Sequence, residues 1–433
     1  MLFRYLASGL LLGSTAVAVP SPNVKRGASL LPFSTKGRDI LDRDGKLFNY
    51  VSTNWPGHQE AMIPEGLQHA SVEEIVSWFP KLGLNSVRLT FAIEMIDDIY
   101  SKSPNQTLER SVLNALGTTN GTIVLNQILS HNPKFSKNTT RLQVFDAVAK
   151  ELARQDIILH LDNHVSKAFW CCGENDGNGW FGEKYFDVDK WIRGWSYIAK
   201  HAKANWPTFS SAGLRNELRN ANTAEPVDWY TWYVHMTAAA NAVHESDPNA
   251  LIFFSGLSYD TYIDPIPLGK TLNGTAGKST AGKTAVFVPS DFPWKDKIVL
   301  EIHKYDFENT QDDCETFTSK WYQKGFQALD ASNPATKYLF PMVISEWGFI
   351  QNGTYWNQTT YNKCLIEMVK KWQVGWQHWE LSGSFYLQTR PGRVPATIQG
   401  LEEAWGLLNY NWSAVRSPVT VENSLSKMIA ALH

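Results

Sequence analysis

Val343-Ile344-Ser345-Glu346-Trp347-Gly348 is an apolar run that ends in Ser-Glu and is followed by Trp-Gly. A run this short, closed by turn-forming residues, reads as a buried strand, here Met342–Ile344. Seven other segments read the same way: Phe48–Ser52, Ser86–Leu89, Ile157–Leu161, Ala212–Leu214, Leu251–Ser255, Ile298–Ile302 and Gly375–Trp379. Between many of them the apolar spacing turns helical, over Val72–Phe79, Leu142–Arg154, Trp229–His244 and Tyr361–Trp372. Strands that mostly alternate with helices predict a parallel sheet, and eight of them close into an α/β barrel of the (β/α)8 TIM type. No solenoid-period repeat interrupts the pattern, and no Pro/Ser/Thr-rich linker marks a second module. Residues 27–433 are therefore expected to form one catalytic domain. Ahead of the first strand, Thr35-Lys36-Gly37 and Asp42-Arg43-Asp44-Gly45 are turn signals, which predict an N-terminal hairpin under the barrel floor. Tyr100 to Asn138 is long and polar and reads as an elaborated loop after the second strand.

The chain has 433 residues, 43% of them hydrophobic, enough for a large core. Its formal charge is −2 and it has no long Lys/Arg run, so nothing suggests a nucleic-acid partner. Its 18 Trp and 16 Tyr serve partly as core, but indole also has an apolar face that suits the C–H surface of a sugar. Residues 1–18 read as a secretory signal: Arg4, an apolar run from Tyr5 to Leu12, then Ala16-Val17-Ala18. Lys25-Arg26 closes a possible propeptide, 19–26. No later run is long enough to span a membrane, so the expected product is secreted, extracellular and monomeric, with no membrane partner. Sequons at Asn105, Asn120, Asn138, Asn273, Asn352, Asn357 and Asn411 predict a glycoprotein. The cysteines are Cys171, Cys172, Cys314 and Cys364. In an oxidising compartment an even count implies disulfides. Cys314 follows strand six and Cys364 lies on the helix after strand seven, so these two are expected to bond. Cys171 and Cys172 would be joined to each other or left as thiols. The adjacent pair lacks zinc-site spacing, and Asp162, Asp176 and Asp187 lack that of an EF-hand; no metal and no cofactor is assigned.

The chemistry points to two strand ends. Leu214-Arg215-Asn216-Glu217 closes the fourth strand and Ser345-Glu346 the seventh. Barrel enzymes carry their catalytic groups at the C-terminal ends of strands, and glycoside hydrolysis needs two carboxyl groups across the scissile bond. In this arrangement the chain resembles glycoside hydrolase family 5 from about Phe33 onward, within the barrel clan that carries its carboxylates on strands four and seven. The resemblance implies a (β/α)8 barrel and a retaining O-glycoside hydrolase. It implies Glu217 as acid/base beside Asn216, and Glu346 as nucleophile. It implies further site residues: Arg88 on strand two, His164 on strand three, His303 and Tyr305 on strand six, and Trp379 on strand eight. The family usually has Pro after the acid/base, where this chain has Leu218, and the block from Asp162 through Trp170-Cys171-Cys172 to Gly182 resembles a divergent branch, similar to plant and fungal cellulase-like members.

Elementary chemistry gives the roles a basis. A nucleophilic Glu346 must be ionised, which Arg88 and a hydrogen bond from Tyr305 favour. Glu217 must start protonated, and the nearby charge of Glu346 would raise its pKa. Asn216 would bind the sugar 2-hydroxyl, His164 and His303 would bind hydroxyls or orient the carboxyls, and Trp379 would underlie the sugar. Plainer readings exist for single residues: Arg88 as a structural ion pair, His164 as a satisfied core residue, Trp379, Trp376 and Trp372 as packing, and His160 as strand interior. Three functions follow. One is hydrolysis of a β-linked glycan, a β-glucan or related cell-wall oligo- or polysaccharide. The second is transglycosylation by the same site. The third is an inactive carbohydrate-binding protein, which loss of a carboxylate would mark; both are present.

Overall fold

The computed structural model describes residues 27–102, 106–221, 223–306, 311–391, 394 and 396–432. The signal and propeptide readings, and the sequon at Asn105, lie outside the described residues. Eight parallel strands close a barrel: β1 (Val51–Trp55), β2 (Ser86–Ala92), β3 (Ile158–Val165), β4 (Phe209–Gly213), β5 (Leu251–Phe254), β6 (Ile298–Lys304), β7 (Met342–Trp347) and β8 (Gly375–His378), with β8 pairing back onto β1. Every residue of these strands is buried. One side of each strand faces the lumen and the other faces helices, so both faces are buried; β5 is wholly apolar, while the other strands mix apolar residues with buried polar ones. The helices Arg141–Arg154, Val188–Asn205, Trp229–Ser246, Cys314–Tyr322 and Tyr361–Trp372 lie between strands and cover the outside. Their N-termini are capped where the sequence offers a short polar side chain: Thr140 caps Arg141–Arg154 in a reciprocal box with Gln143, and Asp187 and Asp228 cap the next two.

Alternation along β3 sets the layers of the lumen. Ile158 lies in the floor, and His160 and Asp162 rise above it, while Leu159 and Leu161 join the outer core. The floor itself is apolar. Phe33, Ile40, Phe48 and Tyr50 from the N-terminal segment close it against Ile158, Leu251, Phe253, Val299 and Val343. The antiparallel hairpin Ser34–Lys36/Asp39–Leu41 turns at Gly37, whose φ of 58° suits glycine, and brings Ile40 into that floor. The expected plug is therefore present.

Two expectations are corrected. The first strand is Val51–Trp55, not Phe48–Ser52. Phe48 and Tyr50 precede it and fill the floor, Tyr50 edge-on to Phe253 at 5.5 Å, with the Tyr50 carbonyl accepting the Trp376 N–H of β8 at 2.8 Å. The stretch from Tyr100 to Asn138 is mostly helix, not loop: Ile93–Lys102 ends within it, and Leu108–His131 fills its centre. The second helix starts on Thr107, whose side chain accepts from the Arg110 N–H, and it buries Leu108, Val112, Val124, Leu125 and Ile128. Gly117, at φ 75°, breaks the helical path and shifts the phase of the apolar stripe, which hides it from a periodicity reading. Both disulfides form: Cys314–Cys364 as expected, and Cys171–Cys172 as the joined alternative. Closing a loop with a sequence separation of 50 constrains the unfolded chain by about 4 kcal/mol.

Candidate active site

The C-terminal mouth of the barrel is built around Arg88, which is fully buried on β2. Its Nη1 donates to Asn54 Oδ1 at 2.8 Å and to Glu346 Oε1 at 2.6 Å, and its Nη2 donates to Asp162 Oδ1 at 2.8 Å and to Asn216 Oδ1 at 2.9 Å. One planar fork thus holds groups from β1, β3, β7 and the end of β4 in register. Burial opposes its charge, but Asp162, Glu346 and Glu301 together hold the guanidinium above its ordinary pKa. The same guanidinium cannot neutralise every acid nearby. Burial raises Asp162 to about 6 and Glu301 to about 7 against the pull of Arg88.

Glu346 reaches the mouth through a bulge. Ile344 pairs with Ile302 and Glu346 with His303, so Ser345 is an extra residue on β7, and Glu346 is turned into the lumen where strict alternation would turn it out. His164 is the corresponding extra residue on β3, between Asn163 opposite Phe91 and Val165 opposite Ala92. The second oxygen of Glu346 accepts from Tyr305 Oη at 2.7 Å. Burial and the charges of Glu346 and Glu217 hold this phenol well above its usual range, so it stays a donor. Burial raises Glu346 as well, opposed by His303 and Arg88.

Glu217 stands across from it, and among the described residues its carboxyl pairs with His303 and with no Lys or Arg. Its Oε1 lies 2.9 Å from Nδ1 of His303, which is also 3.4 Å from Glu346 Oε2. Burial lowers His303 to about 4, so the ring between the two carboxyls is neutral near pH 7. Donor atoms of Glu217, His303 and Glu346 all lie within 4.8 Å of one another, so an oxygen of each carboxyl is that close to the other. Geometrically the three could share a metal ion, but both oxygens of Glu346 already accept from Arg88 and Tyr305. Burial pushes Glu217 up to about 7, offset in part by Arg219 and Arg88. The leading cause is desolvation, where the sequence reading gives part of the shift to the charge of Glu346.

The remaining expected residues gather here too. His164 donates or accepts at Asp162 Oδ2 over 2.8 Å and stacks on Trp379, ring centroids 5.1 Å apart at 10°. Trp379 lines a cavity of about 840 Å³ together with Glu217, Glu346, His164, His303 and Tyr305. Trp376, by contrast, is fully buried packing, and His160 is strand interior against Ser211 and Phe253. Leu218, at the position of the usual proline, is fully buried in the outer core.

Sequence reasoning missed two contributors. Asp260 accepts the Glu217 backbone N–H on Oδ2 at 2.7 Å, and its own carbonyl accepts the His303 N–H at 2.9 Å. It thereby ties the ends of β4, β5 and β6 together. It lies in a run of left-handed residues, Ser258, Tyr259 and Asp260 at φ 54°, 61° and 53°, and Glu217 itself is at φ 46°. Such backbone is strained for non-glycine residues and clusters at functional sites. No strand-end motif announces a loop aspartate of this kind. The other is the Cys171–Cys172 pair, which lines the cavity directly.

The chain is similar to known proteins in sequence and in fold. Residues 42–384 match the family described as Cellulase (glycosyl hydrolase family 5). A "Glycosyl hydrolase 5 family protein" of Chamaecyparis obtusa is 31% identical over 425 residues, covering 96% of this chain and 67% of that protein. Among solved structures, the catalytic domain of the major endoglucanase from Xanthomonas campestris pv. campestris superposes with a TM-score of 0.63 at 17% identity, covering 92% of this chain and 99% of that one. A hyperthermophilic endocellulase of Pyrococcus horikoshii gives 0.64 at 15% identity, covering 94% and 100%. These two likenesses are of fold. The family match, extending over most of the barrel and over both Glu217 and Glu346, carries the conclusion: this chain is a glycoside hydrolase and belongs to glycosyl hydrolase family 5.

Proposed function

We propose that the chain hydrolyses a β-glucan or related cell-wall polysaccharide with retention, Glu346 acting as nucleophile and Glu217 as acid/base. The observation that carries this reading is that an oxygen of one carboxyl comes within 4.8 Å of an oxygen of the other, with the His303 ring against both. Retaining pairs stand about 5–5.5 Å apart, and inverting pairs about 6.5–9.5 Å, to admit a water. The difference in surroundings supports the division of roles. Glu346 is clasped by a guanidinium and a phenol, both of which favour its anion. Glu217, at about 7, carries its proton over much of the neutral range.

In the first step Glu346 attacks the anomeric carbon while Glu217 gives its proton to the departing oxygen. In the second, Glu217, now a carboxylate, takes a proton from water, which attacks the glycosyl-enzyme and frees Glu346. Asn216 donates to the 2-hydroxyl as the oxocarbenium ion develops. His303 orients both carboxyls, His164 fixes Asp162 and the ring of Trp379, and Trp379 carries the sugar. The aromatic lining of the cavity and the endoglucanase and endocellulase names of the structural relatives support a β-glucan chain. Export is part of the proposal. It is supported by two disulfides and by the exposure of the six described sequon asparagines, Asn120, Asn138, Asn273, Asn352, Asn357 and Asn411.

Azide tests the roles. With a dinitrophenyl β-glycoside, Glu217→Ala should accumulate glycosyl-enzyme, and azide should restore turnover with a β-glycosyl azide as product. In Glu346→Ala azide should enter from the vacated face and give the α-azide. The opposite pairing of variants and products would reverse the assignment.

A further inference from the structure

The Asn216 side chain is held asymmetrically. A guanidinium has only donors, so the atom facing Arg88 Nη2 at 2.9 Å is the amide oxygen, and the nitrogen is turned the other way. That nitrogen meets Cys171 Sγ at 3.6 Å, Cys172 Sγ at 3.6 Å and His164 Nε2 at 3.5 Å. All three contacts are long, and disulfide sulfurs are weak acceptors. The amide hydrogens therefore have a direction but no strong partner.

The pair of sulfurs is itself firmly placed. Arg219 donates through Nε to Gly173 O at 3.0 Å and through Nη2 to both oxygens of Asp176 at 2.7 Å, and Asp176 Oδ2 accepts the Gly173 N–H at 2.9 Å. On the other flank, Trp170 N–H donates to Thr389 O at 3.2 Å. Both sulfurs and a carboxyl oxygen of Glu217 lie within 4.8 Å of one another, and both cysteines face the cavity.

We propose that the Cys171–Cys172 disulfide is a positioning group that aims the Asn216 amide at the 2-hydroxyl of the sugar seated between Glu217 and Glu346. The inference rests on the reading of that site as a retaining glycosidase centre. The disulfide blocks the amide from turning away and leaves its donor capacity for the substrate. Opening the bond lets the sulfurs move apart from bonding distance, about 2.05 Å, to van der Waals separation, and the wall behind the amide is lost.

The test compares kcat/KM for 4-nitrophenyl β-cellobioside with that for the analogue lacking the 2-hydroxyl on the sugar bearing the nitrophenyl group. The full-length protein is reduced with a trialkylphosphine, which becomes the phosphine oxide as two thiols form, and peptide mapping identifies the opened bond. The hydroxy/deoxy ratio should fall by about tenfold on reduction, the worth of one hydrogen bond, and return on re-oxidation. Cys171→Ala/Cys172→Ala, which keeps Cys314–Cys364, should show the same fall and carries the test if the reagent does not reach the bond. Asn216→Ala sets the lower limit of the ratio. An unchanged ratio in protein whose Cys171 and Cys172 map as thiols, or in the folded double variant, overturns the inference and leaves the glycosidase reading intact. Failure of that reading looks different: Glu346→Gln would keep wild-type turnover. A wild-type ratio already at the Asn216→Ala level overturns the inference together with the role of Asn216.

Discussion

The two ends of one barrel do opposite things with the same strands. At the floor, Ile158 on β3, Phe253 on β5, Val299 on β6 and Val343 on β7 meet Phe33, Phe48 and Tyr50 in a buried apolar cluster. At the mouth the same strands or the loops after them deliver Asp162, Asp260, Glu301 and Glu346, all buried beside the half-buried Glu217, with Arg88 pairing directly with Asp162 and Glu346. Burying apolar area stabilises the fold, whereas burying acids in excess of cations opposes it. The difference teaches that stability and reactivity are separated along the strand axis by only a few residues. In β3 the step from Ile158 to Asp162 passes from one regime to the other.

Substitutions at the mouth should therefore erase activity, and those at the floor should erase stability. The largest effect is expected for Glu346→Gln, with kcat on an aryl β-glycoside falling by at least about 10⁴-fold while the circular dichroism spectrum stays native. Glu217→Gln comes next. On cello-oligosaccharides, whose leaving groups need a proton, kcat/KM should drop by about 10²- to 10⁴-fold. On the proposed roles the wild type needs Glu217 protonated, so its rate should be present below about pH 7 and lost as pH rises through that value. The variant should lack that alkaline limb, which pH–rate profiles of kcat/KM will show. At the floor, Phe253→Ala should cost about 3–5 kcal/mol of stability, read by denaturant unfolding, with kcat of the folded fraction unchanged. The smallest effect sharpens the contrast. Tyr305→Phe removes the 2.7 Å hydrogen bond to Glu346 and should lower kcat/KM by about tenfold with no loss of stability near that of Phe253→Ala.

The barrel was legible because its strands are buried on both faces, and continuous apolar runs such as Leu251–Phe254 survive in the sequence. The first strand was misplaced because an aromatic in the floor and one in a strand look alike: Phe48 and Tyr50 serve the former. The helix Leu108–His131 escaped because Gly117 resets its stripe. At the site, side chains at strand ends were legible, since Arg88, His164, Asn216, Glu217, His303, Tyr305, Glu346 and Trp379 all converge. Groups carried on the loops after the strands were not. Asp260 works through a left-handed turn, and Cys171–Cys172 through a contact with a residue more than forty positions away. Neither leaves a periodic or strand-end trace.

The left-handed backbone of Glu217, φ 46°, bears on how an inert form for trapping bound oligosaccharide is best made. At an ordinary site alanine is favoured over glycine by roughly 0.5–1 kcal/mol, because glycine gains freedom in the unfolded chain. A left-handed residue with a Cβ carries a penalty of about 1–2 kcal/mol that glycine lacks. Here the usual order should invert, and Glu217→Gly should melt no lower than Glu217→Ala. Any library selected for heat resistance alone would then drift toward discarding the proposed acid, so thermostability screens of this enzyme need turnover as a second gate.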